Sequence, residues 1–312
     1  MSPRLIVSLL LSVAVAGTIV SCGGSSDVPT LAGNTLEATA KGEALYQKAK
    51  AADDQGKTKR AIKDYRKMAD RYPFSPSAAQ ARFRQAELLE QRGEIEDAFE
   101  AYDKFLGTFQ GSGLYSKALA RQTAMAQRAA EGDVKSNFLG LKTRISLEKT
   151  VEMLGKVRDH APASRDASKV QFTIGELYES KQKTKESIAA YRRLVEDQPG
   201  APEAPEALFR VGQLYMEEAE RGNQNQANLE LSKEAFNDYL LQYPGHSRNA
   251  EARQLIKNLD GKDLQKSYEI AEFYRKSGKT EAAKVYYRDI VKRTAHGDYH
   301  NKAKARLAEL GE

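Results

Sequence analysis

Residue types that commonly carry chemistry are scarce in this chain of 312 residues. It has a single cysteine, Cys22, and four histidines, which are His160, His246, His296 and His300. His296 and His300 are four residues apart, which is the spacing of two metal ligands on one face of a helix. Gly297 disfavours a helix there and no third ligand is evident, so we predict an exposed polar loop and no metal site. His160 and His246 lie close to prolines, and we place them in surface turns.

The sequence also lacks the usual signals of an active site. No glycine-rich loop follows a strand, and no strands are evident, so Gly111-Ser112-Gly113 is predicted to be a turn between helices. The carboxylates Glu94, Glu96 and Asp97 fall at a predicted helix start, where they stabilise the helix dipole. We therefore predict that the protein is not an enzyme and has neither catalytic residues nor a cofactor.

Cys22 follows an apolar segment near the N-terminus. Arg4 precedes residues 5–16, which are apolar apart from two serines. This run is too short to span a bilayer and has the length of the apolar part of a signal peptide. Residues 19–22, Ile-Val-Ser-Cys, resemble the lipobox of bacterial lipoproteins. The resemblance implies cleavage before Cys22 and attachment of acyl chains such as palmitate to it; the alternative is an uncleaved anchor with an incidental cysteine.

The N-terminal region is accordingly divided into a signal peptide, residues 1–21, and a flexible tether, residues 22–37. Gly23 and Gly24 follow the cysteine. Bacterial lipoproteins with aspartate at that position are retained in the inner membrane. We therefore expect this chain to be lipid-anchored in the outer membrane, on its periplasmic face.

The charge of the chain is modest and well mixed. The formal net charge is +6, and 29% of the residues are charged. This composition does not indicate a nucleic-acid partner, which would call for a concentrated basic stripe. A mild basic excess suits an anionic membrane surface or acidic peptide segments.

Seven positions recur along the chain, which indicates an internal repeat. The first copy is Gly56, Ala61, Ile62, Tyr65, Met68, Ala69 and Tyr72, and adding 37 gives Gly93, Ala98, Phe99, Tyr102, Phe105, Leu106 and Phe109. The apolar spacing within each copy is that of one face of an α-helix. Further copies at offsets of 89, 126, 171 and 222 place Tyr191 and Tyr287 at the position of Tyr65. We expect these tyrosines to be buried.

Each copy describes the second helix of a hairpin. We predict an all-α, TPR-like helical-hairpin solenoid of about six helix pairs over residues 38–310, which resembles the tetratricopeptide (TPR) family. Its predicted parts are an N-terminal part, 38–131, a middle part, 149–244, and a C-terminal part, 245–310. Inserts are predicted at 132–148 and 221–228, and Gly261-Lys262 is expected to break a long helical stretch. Ser75, Ser164 and Ser247 are predicted to cap the helices that follow them.

Three strings carry a narrower resemblance: RYPFSP at 71–76, AYDKFLGTFQGSGLYSKAL at 101–119, and IAEFYRKSGKTEAAKVYYRDIV at 270–291. Together with the lipobox, they are similar to the BamD family, outer-membrane lipoproteins of the β-barrel assembly machinery. The resemblance implies binding to the periplasmic domains of BamA, an Omp85-type barrel protein. It also implies that the protein receives unfolded outer-membrane proteins.

The candidate protein-binding residues follow from these strings. They are Arg71, Tyr72, Pro73 and Phe74 in the first string and Tyr286 and Arg288 in the last. Phe74 lies outside the apolar template, which makes it a candidate for lining a peptide-binding pocket. The family often has an Asn-Arg pair that contacts the barrel protein; Val285 and Tyr286 align with it here, and Arg288 is a candidate substitute.

Two other functions fit the same sequence. One is a TPR lipoprotein of the cell envelope with another client, such as a coordinator of peptidoglycan synthesis or of the Tol-Pal system. The other is an enzyme decorated with TPR repeats, against which the lack of any remaining domain argues. Within the first function, we expect the region from Tyr72 to Phe83 to face substrate segments. The region from Tyr268 to Val291 would then dock a partner.

Overall fold

A computed structural model of the chain describes residues 35–133, 135–138, 141–162, 164–221 and 226–312. Cys22, the predicted signal peptide and most of the predicted tether lie outside the described residues. Among the helices of the described part, none has the length and apolar character needed to cross a membrane.

Thirteen helices and two short strands make up the described part of the chain. The first seven helices are α1 Thr35–Asp54, α2 Thr58–Arg71, α3 Ala78–Gln91, α4 Ile95–Thr108, α5 Tyr115–Ala130, α6 Leu147–His160 and α7 Arg165–Ser180. The remaining six are α8 Thr184–Asp197, α9 Ala204–Arg221, α10 Gln226–Gln242, α11 Asn249–Lys276, α12 Thr280–Arg293 and α13 Asp298–Glu309. The strands are β1 Lys135–Phe138 and β2 Leu141–Arg144.

The helices form a solenoid of hairpins. Each helix packs on the one before it and the one after it, from α1 to α13. Pairing runs α1 with α2 through α11 with α12, so there are six pairs, and α13 covers the end of the last. The predicted all-α, TPR-like solenoid of about six pairs is therefore confirmed. Such a stack offers an extended surface, because each repeat contacts only its neighbours.

The repeated tyrosines lie where the template places them. Tyr65 is 2% exposed, and Tyr102, Tyr191 and Tyr287 are fully buried. In the first two hairpins the turn contains the template glycine in the left-handed region, at φ +68° for Gly56 and +73° for Gly93. That conformation ends the first helix and costs glycine little, because it has no Cβ.

The insert at 132–148 is not a plain loop. β1 and β2 pair antiparallel, with Lys135 opposite Arg144 and Phe138 opposite Leu141. The expectation that the chain has no strands is therefore wrong. Strands of four residues give little local signal, since they become stable only when the backbone groups of one bond those of the other.

Two further expectations about breaks in the helices are also wrong. α11 continues through Gly261 for 28 residues, because one glycine costs only about 1 kcal/mol in a helix and packing on α10 and α12 outweighs it. At the second insert, α9 extends to Arg221 and α10 begins at Gln226, so residues 226–228 are helical. Residues 222–225 lie outside the described part.

The predicted serine caps have mixed outcomes. Ser164 Oγ accepts a hydrogen bond from the Ala167 amide at 3.1 Å, which confirms its role. Ser75 does not cap α3, which begins three residues later; it is buried in the turn, where its amide bonds the Tyr72 carbonyl. Ser247 does not cap either, because Arg248 flanks the start of α11.

Three of the histidines make close polar contacts with other residues, which their predicted placement on the surface did not suggest. His160 Nε2 lies 2.7 Å from Asp103 Oδ1, and His246 Nδ1 lies 2.5 Å from the Tyr239 hydroxyl. α13 begins at Asp298, so His300 is in its first turn and not in a loop; its Nδ1 is 2.6 Å from the Thr294 carbonyl. Gly297, at φ +113°, immediately precedes the helix, so it sets the start of α13 and does not prevent it.

Candidate protein-interaction surfaces

A buried polar contact recurs at several junctions between helix pairs. In the second pair, the Tyr102 hydroxyl donates to Glu90 Oε2 at 3.1 Å, and Arg121 Nη1 donates to the same oxygen at 2.7 Å. Glu90 is on α3, Tyr102 on α4 and Arg121 on α5. The contact therefore fixes both helices of one pair to the first helix of the next. We call it the tyrosine–carboxylate–arginine tie.

The same tie occurs three more times. Its other copies are Tyr65–Asp53–Arg84, Tyr191–Glu179–Arg210 and Tyr287–Glu272–Arg306. In every copy the carboxylate accepts from both the phenol and the guanidinium. The tie is a structural device that sets how successive pairs are stacked, and so shapes the surface that a partner would meet.

The tie shifts the acidity of the groups that form it. Burial, followed by the nearby carboxylate, raises the pKa of Tyr102 and of Tyr191 far above the ordinary value, so both hydroxyls remain donors. At the last tie, hydrogen bonds from Arg275 and Tyr287 lower the pKa of Glu272 to about 2. Neither change gives a nucleophile or a general base, because each stabilises the form present at neutral pH.

A sequence signal for the ties exists, and the template missed it. The offsets of 37 and 126 that relate the tyrosines also take Asp53 to Glu90 and Glu179. They likewise take Arg84 to Arg121 and Arg210, and the offset of 222 takes it to Arg306. A template restricted to apolar positions could not find them, since charged residues on a helix are by default assigned to the solvated face.

The first two helix pairs form a groove of about 350 Å³. We call it the N-terminal groove; it is lined by Lys59, Ile62, Lys63, Arg66, Arg82, Gln85, Leu89, Glu94, Asp97, Glu100, Ala101 and Lys104. α2 supplies the basic wall, α4 supplies the acidic residues, and α3 forms the floor between them. A groove with polar walls and an apolar strip can accommodate part of a peptide.

The sequence-predicted residues at the end of α2 do not line this groove. Arg71, Tyr72 and Pro73 are half-buried, and the Phe74 side chain is 76% exposed. Pro73 instead borders a shallow depression with Phe109 and its neighbours. Phe74 is thus a single exposed aromatic residue on the surface of the turn.

The last pair has an exposed aromatic surface, which we call the C-terminal patch: Phe273, Tyr274, Val285 and Tyr286. Tyr274 and Tyr286 stack with ring centroids 5.6 Å apart, and Phe273 packs edge-on against Tyr274 at 5.7 Å. Phe273 is 65% exposed and Val285 is 58% exposed. Exposed apolar residues that lie together are typical of protein-interaction sites.

Arg288 is paired with a carboxylate and is therefore not available as a free cation beside the C-terminal patch. Its Nε donates to Glu312 Oε2 at 2.7 Å, and its Nη2 also contacts that carboxylate. Lys284 approaches the same carboxylate at 3.6 Å. The structure therefore brings Tyr286 together with Tyr274 and Phe273, which the sequence did not single out as binding residues, and pairs Arg288 with Glu312.

Comparison with known proteins gives two family matches. The model of the YfiO family, described as an outer membrane lipoprotein, matches residues 143–310, and a tetratricopeptide repeat model matches residues 46–113. The outer membrane protein assembly factor BamD of Caulobacter vibrioides is 27% identical over 124 residues. That match covers 40% of this chain and 41% of the relative, well under half of its length.

Solved structures with related architecture include a P58(IPK) TPR domain. It has a TM-score of 0.37 and 19% identity, over 86% of this chain and 68% of that one. PilF of Pseudomonas aeruginosa has a TM-score of 0.29 and 15% identity, over 87% of this chain and 99% of that one. Because both TM-scores are below 0.5, neither structure bears on the function of this chain.

Proposed function

Because this chain belongs to the YfiO family of outer membrane lipoproteins, we propose that it is a scaffold for the assembly of outer-membrane β-barrels. The observation that carries the proposal is the family match over residues 143–310, more than half of the chain. The solenoid architecture supports the same role, because such stacks present long surfaces for binding proteins. The scaffold acts by binding and positioning partners and performs no reaction of its own.

Attachment to the membrane is proposed to occur through Cys22. Lipid chains on this residue would hold the solenoid at the periplasmic face of the outer membrane, since more than one acyl chain is needed for stable anchoring. Residues 22–37 would act as the tether that lets the solenoid reach partners near the membrane.

Partner binding is proposed to be divided between the two ends of the solenoid. The first two pairs, including Arg71 to Phe74, would face segments of unfolded outer-membrane proteins. The last pair would dock an Omp85-type barrel protein such as BamA through the C-terminal patch, with Tyr286 at its centre. Arg288 would hold Glu312 beside the patch through their ion pair.

The test is crosslinking of the full-length protein in its native cells, followed by purification and identification of what it retains. We expect an Omp85-type barrel protein among the retained proteins. Recovery of peptidoglycan-synthesis or Tol-Pal proteins without any Omp85 protein would contradict the proposal and favour another envelope client.

A pair of matched variants tests the docking surface in the same experiment. Phe273→Asp puts a charge into the C-terminal patch, and we expect at least about fivefold less Omp85 protein to be recovered. Leu241→Asp places the same charge at an 80% exposed leucine on α10 and should leave recovery unchanged. Equal recovery with both variants would exclude the C-terminal patch as the docking surface.

A further inference from the structure

The cations and carboxylates of the N-terminal groove differ in how well they are paired. Arg92 binds Glu94 at 2.7 Å, and Lys149 and Lys156 bind Glu100 at 3.1 and 2.9 Å. Lys59, Lys63, Arg66 and Lys104 also line the groove, but none has a carboxylate within 4 Å among the described residues. Arg66 is close enough to Asp97 for the two charges to interact, so the unpaired positive charge of the groove lies mainly on Lys59, Lys63 and Lys104.

The floor of the groove has an unused hydrogen-bond donor. Arg82 is 5% exposed, and its guanidinium contacts Asp70 and donates to Gln85 Oε1 at 2.8 Å. Its Nε–H is buried without a hydrogen-bond partner in the described part of the chain. A buried donor left unsatisfied destabilises the fold, and an acceptor atom that entered the groove would recover that cost.

The spacing of the basic wall suits an extended chain. Lys59, Lys63 and Arg66 are successive turns apart on one face of α2, a rise of about 4.5–6 Å between neighbours. Every second residue of an extended strand projects to the same side, roughly 6.6 Å apart. A strand with acidic residues at alternate positions therefore presents one carboxylate to each cation.

We propose that the N-terminal groove binds an extended segment of another protein through acidic side chains at alternate positions. The apolar strip of Ile62, Leu89 and Ala101 accommodates the stem of such a segment, which a free anion does not need. Asp97 on the opposite wall limits the negative charge that the groove accepts. This inference rests on the proposed function, because it states what chemistry a held segment must carry.

Binding is measured with the full-length chain purified in detergent and a labelled peptide of about nine residues, spanning roughly 30 Å when extended. The probe has aspartate at alternate positions and an amidated C-terminus. We expect it to bind with an affinity that falls as salt is added, and a peptide with asparagine at the same positions to bind at least about tenfold more weakly. Equal binding of the two peptides would overturn the proposal.

Two variants on the same helix localise the interaction. Lys63→Glu reverses a charge in the groove and should weaken the aspartate peptide at least about tenfold. Lys67→Glu makes the same change on α2 outside the groove and should alter affinity less than about twofold. Equal weakening by both would show a general effect of net charge and overturn the site.

Arg82→Lys tests the floor, since lysine keeps a positive charge near Asp70 and removes the Nε–H. We expect several-fold weaker binding of the aspartate peptide with unchanged helical content by circular dichroism. If the folded variant bound the peptide with unchanged affinity, the Arg82 Nε–H would not contribute to binding. If this variant does not fold, the comparison of Lys63→Glu with Lys67→Glu decides the question.

Two further probes separate other sources of negative charge. Binding only of the asparagine peptide with a free C-terminal carboxylate would assign the groove to chain ends. Binding to phosphatidylglycerol vesicles that Lys63→Glu abolishes, without binding of the aspartate peptide, would assign it to lipid headgroups. Either result overturns the proposal. Retention of an Omp85 protein in cells is independent of both, so the failure of this inference is distinguishable from failure of the proposed function.

Discussion

The junction after the fourth helix pair and the junction after the fifth contain equivalent buried aromatic layers but are held differently. At the first, Tyr191, Glu179 and Arg210 join α7, α8 and α9 through one carboxylate. At the second, the Tyr239 hydroxyl contacts His246, which lies in the turn directly after the same helix. The Tyr239 contact therefore stays within one helix and the turn that follows it, whereas the Tyr191 contact joins three helices at once.

The fifth junction has a separate link to the next pair. Arg248 stands 3.5 Å from the ring centroid of Phe209 and donates to Glu206 Oε1 at 2.8 Å. It joins α11 to α9 without involving Tyr239.

The difference has a cause in the sequence. By the offset of 171, Phe236 occupies the template position of Tyr191, and Tyr239 occupies that of Met68. Phenylalanine keeps the aromatic layer buried but has no hydroxyl to donate to a shared carboxylate.

The largest expected effect comes from filling a glycine beneath each aromatic layer. A Cβ at Gly175 would overlap the ring of Tyr191, and a Cβ at Gly212 would lie 2.7 Å from the ring of Phe236. The Tyr191 ring cannot move without breaking the hydrogen bond from its hydroxyl to Glu179, whereas Phe236 has no polar group that would hold its ring in place. We expect Gly175→Ala to cost about 3 kcal/mol of unfolding free energy and Gly212→Ala about 1–2 kcal/mol, measured by urea denaturation. Equal costs would mean that the tie does not restrain the ring.

Removing the shared carboxylate should have the next largest effect. Glu179→Ala leaves the buried Tyr191 hydroxyl without its acceptor, while Arg210 keeps Glu206 at 3.2 Å. We expect a loss of about 2 kcal/mol in unfolding free energy. Glu196→Ala, at an exposed residue of the neighbouring α8, is the matched control and should change stability by less than about 0.5 kcal/mol. A similar loss in the control would show that the effect is one of helix charge.

The two junctions also show how far sequence reasoning reaches. Buried aromatic positions could be predicted because a helix needs one continuous apolar face, and that periodicity is visible in the sequence. The turn of the fourth pair keeps the template conformation without the template glycine. Gln182 occupies the glycine position there and adopts φ +57°. A glutamine adopts this left-handed conformation only at an energetic cost, because its Cβ is crowded there. The packing of the hairpin must therefore impose it.

The interaction surfaces were less predictable because they depend on side chains brought together from different helices. Tyr274 and Tyr286 are twelve residues apart in the sequence, and only the hairpin of α11 and α12 stacks their rings. The cations of the basic wall are visible in the sequence, but their position opposite α4 is not, because it depends on how both helices pack on α3. Whether a charge is paired depends on the next repeat, as with Lys156 and Glu100.

A smaller effect should distinguish the tyrosine hydroxyls themselves. Tyr191→Phe removes a donor but leaves Glu179 paired with Arg210, so we expect a loss of about 1 kcal/mol. Tyr239→Phe leaves His246 in a half-buried turn where water can replace the hydroxyl, and we expect about 0.5 kcal/mol. Thermal unfolding of both variants beside the wild type makes the comparison. A larger loss for Tyr239→Phe would show that the His246 contact, and not the three-helix tie, is the stronger one.

The smallest expected effect is a pH dependence of the stability that the last tie contributes. The pKa of Glu272 is lowered to about 2 from an ordinary value of 4.5, so its ionised form is stabilised by folding. Its contribution is therefore complete above about pH 4.5 and is lost as the pH falls toward 2. Solvent screening reduces that contribution to less than about 1 kcal/mol.

Glu272→Gln isolates this contribution. Its difference in unfolding free energy from the wild type, measured by urea denaturation at pH 7, 4 and 3, should shrink as the pH falls. Glu196→Gln, the matched control at an exposed carboxylate of α8, should show no such trend. A difference for Glu272→Gln that stays constant down to pH 3 would mean that the neutral amide loses only packing. The charge on the tie would then contribute nothing, and the charged junctions would differ from the Tyr239 junction in geometry alone.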